Sequence, residues 1–202
     1  MFLESEKLST PELYKLLVGG VLPRPIAWVS SQNASGISNL APYSFFTVAS
    51  CNPPVLSITH INPLDRLAKD TFLNIEATGE CVINIVSSDL SEQMNASCAD
   101  YAADISEFEV LGVESVISQT VDVPGVKASK VRYECRLREM VTISEQPMSG
   151  IMILLDVCAI YIDDQVYIDS EINAKLLDVV GKLGGNDYVS TREQFTMERP
   201  KL

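Results

Sequence analysis

Histidine is almost missing from this chain. His60 is the only one, so any catalytic scheme that needs two imidazoles is excluded, and His60 itself is read as a candidate catalytic residue or a hydrogen-bonded structural one. Paired cysteine spacing is missing too. Cys51, Cys81, Cys98, Cys135 and Cys158 are scattered with no Cys-x-x-Cys among them, which argues against a zinc site and a disulfide framework; they read as reduced thiols, mostly in the core. Positive charge is scarce, with 15 Lys and Arg against 27 Asp and Glu, a net charge of -12 and a pI near 4.4. Such a field repels nucleic acid and anionic lipid, and no basic stripe offsets it. Long apolar runs are also lacking. The run at 151–160 is interrupted by Asp156, short of the roughly 20 residues a membrane span needs. The first residues, Met-Phe-Leu-Glu-Ser-Glu-Lys, do not form a basic segment followed by an apolar one, so no secretory signal is read and a cytoplasmic protein off the membrane is expected.

What is present fits a globular chain: 202 residues, 47% hydrophobic and 21% charged, read as one domain over 1–202. Ser9-Thr-Pro-Glu has the form of a helix start, with Ser9 as cap, Pro11 in the first turn and Glu12 reaching back, and Gly19-Gly20 stops it. The β-branched runs 26–30 and 55–59 are bounded by Pro, Gly and Asn and predict buried strands, with a hairpin turn at Ser35-Gly36. A helix is predicted over 71–78, capped by Asp70 or a neighbour and ended by Gly79. Segment 81–86 returns as a strand, 89–99 as a short helix capped by Ser88 or Asp89, and 100–116 as an acidic loop. Long strands follow at 131–143 and 150–163, then a short one at 165–168 joined to its predecessor by a turn at Asp163-Asp164. Many antiparallel strands with few short helices predict a closed or partly open β-barrel.

Charge is distributed unevenly. Between Lys15 and Asp65 the chain has one charged residue, Arg24, and inside this gap residues 39–46 read Asn-Leu-Ala-Pro-Tyr-Ser-Phe-Phe. Small and hydroxyl-bearing residues beside aromatics, with no carboxylate near, suit a flat anionic ligand. The next cations are Arg66 and Lys69, and none follows until Lys127. A phosphate would find its counter-charge there, where Lys69, the hydroxyl of Thr71 and the N–H groups of a helix start converge.

Four strings in order, Arg24-Pro-Ile-Ala-Trp-Val-Ser-Ser, the 39–46 run, Asn52-Pro-Pro and Lys69-Asp-Thr-Phe-Leu-Asn, resemble the flavin reductase-like, FMN-binding split-barrel family, including flavoredoxin-type proteins and flavoprotein oxygenases. The likeness continues through 79–84 and ends at 181–188, so it covers most of the chain. It implies a mainly β fold with short helices, a Greek-key, six-stranded antiparallel split barrel that forms a homodimer, with FMN held noncovalently near the subunit interface. By this resemblance Ser30, Ser31 and Asn39 contact the ribityl chain and phosphate, Ala41 and Tyr43, Ser44, Phe45 and Phe46 border the isoalloxazine, and Lys69, Thr71 and Asn74 hold the phosphate end. Arg24 either assists with phosphate or nicotinamide or pairs with an acid. Tyr188 approaches the flavin from the C-terminal side, although Ser190 and Glu193 beside it also form a capping box for a following helix. Trp28, Phe45 and Phe46 are read as core or as cofactor platform. Lys182, where relatives often have Arg, and Thr47, where Asn is frequent, depart from the family pattern.

The activity this implies is an FMN-dependent oxidoreductase that takes hydride from NAD(P)H and passes electrons to an acceptor, the cofactor carrying the hard chemistry. A second reading keeps FMN but makes the protein an electron carrier or oxygen-reactive flavoprotein fed by a protein partner, for which an acidic surface suits a basic redox partner. A third is a noncatalytic binding module.

Overall fold

The computed structural model describes residues 1–64 and 68–200; Arg66, one of the cations singled out above, lies outside the described residues. The chain opens with helix α1 (Thr10–Gly20) and strands β1 (Arg24–Pro25), β2 (Ala27–Gln32), β3 (Ser38–Tyr43), β4 (Phe46–Cys51) and β5 (Pro54–Ile61). Next come α2 (Asp70–Thr78), β6 (Glu80–Ile85), α3 (Ser91–Ala96), α4 (Glu107–Val110), β7 (Ser115–Val116) and β8 (Gly125–Val126). The chain closes with β9 (Val131–Thr142), β10 (Gly150–Ile162), β11 (Tyr167–Ile168), β12 (Glu171–Ile172), α5 (Ala174–Leu177), β13 (Val180–Lys182) and β14 (Tyr188–Ser190).

Seven strands form one antiparallel sheet in the order β3-β2-β6-β9-β10-β5-β4, where the resemblance implies six barrel strands. The long β9–β10 hairpin is its spine. Register shifts after Leu154 and Val157 mark bulges in it, the device by which a long strand bends. One face of the sheet encloses a core of Val29, Leu56, Ile58, Ile83, Ile153 and Leu155, and α2 adds Phe72 and Ile75 to it. Its other face carries Trp28, Leu40 and Val86 against Met94 of α3 and Phe108 of α4. Strand β2 is therefore buried on both sides, which is why 26–29 reads as an unbroken apolar run rather than an alternating one. No helix among the described residues is long and apolar enough to cross a membrane.

Several local expectations hold. The Ser9/Glu12 capping box starts α1, Gly36 takes a left-handed φ of 83° in the β2–β3 turn, and Gly79 ends α2 at φ 73°. The N-cap position of α2 falls on Lys69, the neighbour of Asp70, and its side chain makes no cap hydrogen bond. Others change. The 89–99 helix is a 3-10 turn, Ser88–Leu90, leading into the shorter α3, and the acidic loop contains α4. Tyr167–Ile168 pairs with β12, not with β10, whose one edge is taken by β9 and whose other is taken by β5 over Gly150–Asp156. Ser190 pairs with Val180 in the ladder of β13 and β14, and this extended backbone leaves no helix for a Ser190 cap to start. The thiols are not mostly core. Cys81 and Cys135 are buried opposite one another on β6 and β9, whereas Cys51, Cys98 and Cys158 are exposed, and all five are free.

Candidate functional site

The start of α2 lies against the ends of β2 and β3, and four of the residues singled out from sequence meet there. The Thr71 hydroxyl donates to Asn39 Oδ1 at 2.7 Å. Ser31 Oγ lies 3.4 Å from the same oxygen, and Asn74 Nδ2 donates to Ser31 Oγ at 3.1 Å. Thr71, Asn74 and Ser31 are buried, so this chain of polar groups is a built feature. It borders a polar pocket of about 150 Å³ lined also by Ala41, Tyr43, Lys69, Asp70 and Glu107. The first N–H groups of a helix have no intrahelical partner and carry a partial positive charge, so α2 together with Lys69 offers an anion its donors.

A groove of about 390 Å³ adjoins the pocket. Pro42, Tyr43 and Lys69 belong to both, and Ser44, Phe45, Thr59 and Asn62 are among the further walls. The Tyr43 hydroxyl is buried, and that burial pushes its pKa well above the ordinary phenol range, so it stays protonated. Thr59 and Ile61 line the groove, but His60 between them points to the opposite face of β5. There it is fully buried, with its ring stacked on Phe72 at 4.7 Å. The strand's alternation takes His60 into the barrel core.

Arg24 lies apart from the polar pocket, in a depression that shares Ser44 and Phe45 with the groove. It is buried, and its guanidinium donates to the carbonyls of Val18, Val21 and Leu183, the last at 2.9 Å, with Nε 3.4 Å from Ser44 Oγ. It ties the end of α1 to the segment after β13 and borders an apolar depression of about 520 Å³ shared with Leu17, Phe45 and Phe46. An Arg24→Ala variant is expected to lose about 2–3 kcal/mol of stability, because several carbonyls lose a charged donor at once. Its affinity for a phosphate-bearing ligand is expected to stay at the wild-type value. Chemical denaturation paired with a ligand titration checks both, and a large affinity loss at unchanged stability would return Arg24 to the anion site.

Ser30 is fully buried and donates to the Pro124 carbonyl at 2.6 Å, away from the pocket. Phe46 packs partly against the barrel core, and Trp28 lies wholly in the second core. Tyr188 donates to Asn95 Oδ1 at 3.0 Å, with Lys182 4.1 Å above its ring, in a separate depression with Ser91 and Val180.

Sequence reasoning missed the outer wall of the polar pocket: Ser97, Cys98, Asp100 and Tyr101 after α3, and Glu107 at the start of α4. Glu107 is 4% exposed and accepts from Asn39 Nδ2 and from the Leu40 backbone N–H, both at 2.8 Å. Burial raises its pKa, against the lowering effect of those donors. Burial also raises the Cys98 thiol, with Lys69 and Lys182 pulling it back. Nothing in an acidic, loop-like stretch distinguishes Glu107 from its neighbours.

The fold is a split β-barrel in which the start of α2 adjoins a groove along the Tyr-Ser-Phe strand end, and its family match marks a flavin-related oxidoreductase class. The chain belongs to the flavin reductase like domain family, whose match runs over residues 19–175. It is 36% identical over 202 residues to the uncharacterized protein YwrF of Bacillus subtilis, covering 98% of both chains. Among solved structures, nitrilotriacetate monooxygenase component B from Bacillus cereus superposes with a TM-score of 0.92 at 29% identity, over 98% of each chain. The 2-nitrobenzoate 2-nitroreductase NbaA of Pseudomonas fluorescens superposes at 0.89 with 30% identity, over 99% of this chain and 96% of its own.

Proposed function

We propose that this protein is an FMN-dependent oxidoreductase that takes hydride from NAD(P)H and delivers the electrons to an acceptor, working as a cytoplasmic homodimer. The observation that carries this reading is that the polar pocket and the groove adjoin, sharing Pro42, Tyr43 and Lys69 in their walls. A phosphate suits Lys69 and the N-terminus of α2, with Thr71 and Asn74 beside it. A polyol chain suits the amide and hydroxyls of Asn39 and Ser31. A flat ring suits the groove wall at Tyr43, Ser44 and Phe45, with Ala41 in the adjoining pocket and Phe46 on the neighbouring depression. The donor set and the shape of the space both fit FMN.

Bound there, FMN supplies the redox chemistry. The chain's own share is positioning, exclusion of water and hydrogen-bond donors at the ring's polar edge, none of which requires a titrating side chain. His60 would act by shaping the barrel interior behind the groove, because its ring faces Phe72. The likeness to a nitroreductase and to a monooxygenase component makes a nitroaromatic compound and a partner oxygenase the acceptor classes to try first. The net charge of -12 suits a basic protein partner.

The test is a visible spectrum of the purified protein, before and after adding FMN and then NADH or NADPH without oxygen. Flavin bands that appear on binding and bleach with nicotinamide are the expected result. Bands that persist assign the flavin to a partner-fed electron carrier, and a protein that binds no FMN at all ends the flavin reading.

A further inference from the structure

The orientation of one amide and one hydroxyl at the pocket follows from Glu107. An ionised carboxylate only accepts hydrogen bonds, and a backbone N–H only donates. With Glu107 Oε2 held by the Leu40 N–H and Oε1 facing Asn39, the Asn39 side chain must present its NH₂ group to Glu107. Its Oδ1 is thereby turned toward Thr71 and Ser31. That oxygen also only accepts, so the single proton of the Thr71 hydroxyl is committed to Asn39 at 2.7 Å. A phosphate needs donors, and here the hydroxyl has only lone pairs to offer it. The same Glu107 carboxylate adds a negative charge to the pocket wall, where Asp70 already stands.

We propose that Glu107 is a positioning residue that restrains the pocket's affinity for the phosphate of FMN, by holding the Thr71 proton inward through Asn39 and by its own charge. This rests on the FMN reading above. Replacing the carboxylate by an amide reverses the pattern. In Glu107→Gln the new Oε1 must stay with the Leu40 N–H, so Nε2 meets the Asn39 NH₂ group donor to donor. The clash resolves by rotation of the Asn39 amide. Asn39 Nδ2 then donates to Thr71 and Ser31, and the Thr71 proton is released to the pocket.

The experiment compares FMN with riboflavin, which lacks the phosphate, by flavin fluorescence titration on wild type, E107Q, T71V and the double variant E107Q/T71V. E107Q is expected to bind FMN about fivefold more tightly, the equilibrium value of about one added hydrogen bond, and to bind riboflavin as wild type does. The gain is expected to be smaller when E107Q/T71V is compared with T71V, because only the part owed to the lost charge remains, and a gain of the same size in both backgrounds overturns the role of the Thr71 proton. An unchanged ratio of FMN to riboflavin affinity in E107Q, or equal weakening of both flavins as a purely structural role predicts, overturns the proposal. Should E107Q not fold, Glu107→Met, which also lacks the charge and the acceptors, is expected to tighten FMN alone, and its failure to do so overturns the proposal equally. Wild type that binds neither flavin removes the FMN reading itself, an outcome distinct from all of these.

Discussion

Trp28→Ala is expected to lower folding stability by about 3–5 kcal/mol, the cost of removing a large aromatic side chain from a closed core. Trp28 is fully buried on the helix-covered face of β2, in one cluster with Leu40, Met94 and Phe108. Its indole Nε1 donates to Ser97 Oγ at 2.9 Å, and Ser97 in turn donates to the Met94 carbonyl at 2.7 Å while lining the polar pocket. The residue therefore joins the core to the pocket's outer wall. Trp28→Phe keeps much of the apolar contact but strands a buried hydroxyl acceptor, for about 1–3 kcal/mol. Urea unfolding of both variants checks the order, and a loss under about 1 kcal/mol for the alanine variant would contradict a closed core around the indole.

Lys69→Ala is expected to weaken FMN binding by about 1.5–3 kcal/mol, the range for a hydrogen bond from a charged group. The ammonium stands at the N-cap position of α2, on the rim shared by the pocket and the groove, where its charge adds to that of the helix start. Being exposed, it is screened by salt, so the loss is expected to shrink as ionic strength rises. Riboflavin affinity is expected to change little. Fluorescence titration at low and high salt reads all three, and an FMN affinity equal to that of wild type would remove Lys69 from the site.

The sequence made the barrel strands legible because they carry strong local signals: β-branched runs, a Ser35-Gly36 turn, the Ser9 capping box and the Gly79 stop each correspond to an observed feature. Strand partners were less legible. Nothing local to 165–168 separates a partner in the preceding strand from one in the following segment, and the observed pairing is with 171–172. At the site, Ser31, Asn39, Thr71 and Asn74 come together because the motifs that contain them fall on β2, β3 and α2, which are neighbours in the fold. Arg24 stood out as the lone charge of a neutral stretch, but charge isolation does not reveal that main-chain carbonyls already surround it. His60 shows the limit of the same kind: its place beside groove residues in sequence is what sends its side chain to the other face. Glu107 reaches the site across 67 residues, and such a contact leaves no trace in spacing.

Strand β3 is one margin of the large sheet, with β2 on one side only. A margin of this kind is a template on which another chain's strand can grow, and proteins that leave it bare invite edge-to-edge association. In this molecule the Leu40 N–H points outward from that margin and is taken by the Glu107 carboxylate, which sits where an incoming strand would offer its carbonyl. The short helix that brings Glu107 thus also acts as a guard against unwanted self-assembly. A change that detached it would disturb a ligand pocket and uncover a sticky seam in one stroke, so colloidal behaviour and binding are coupled through a single side chain.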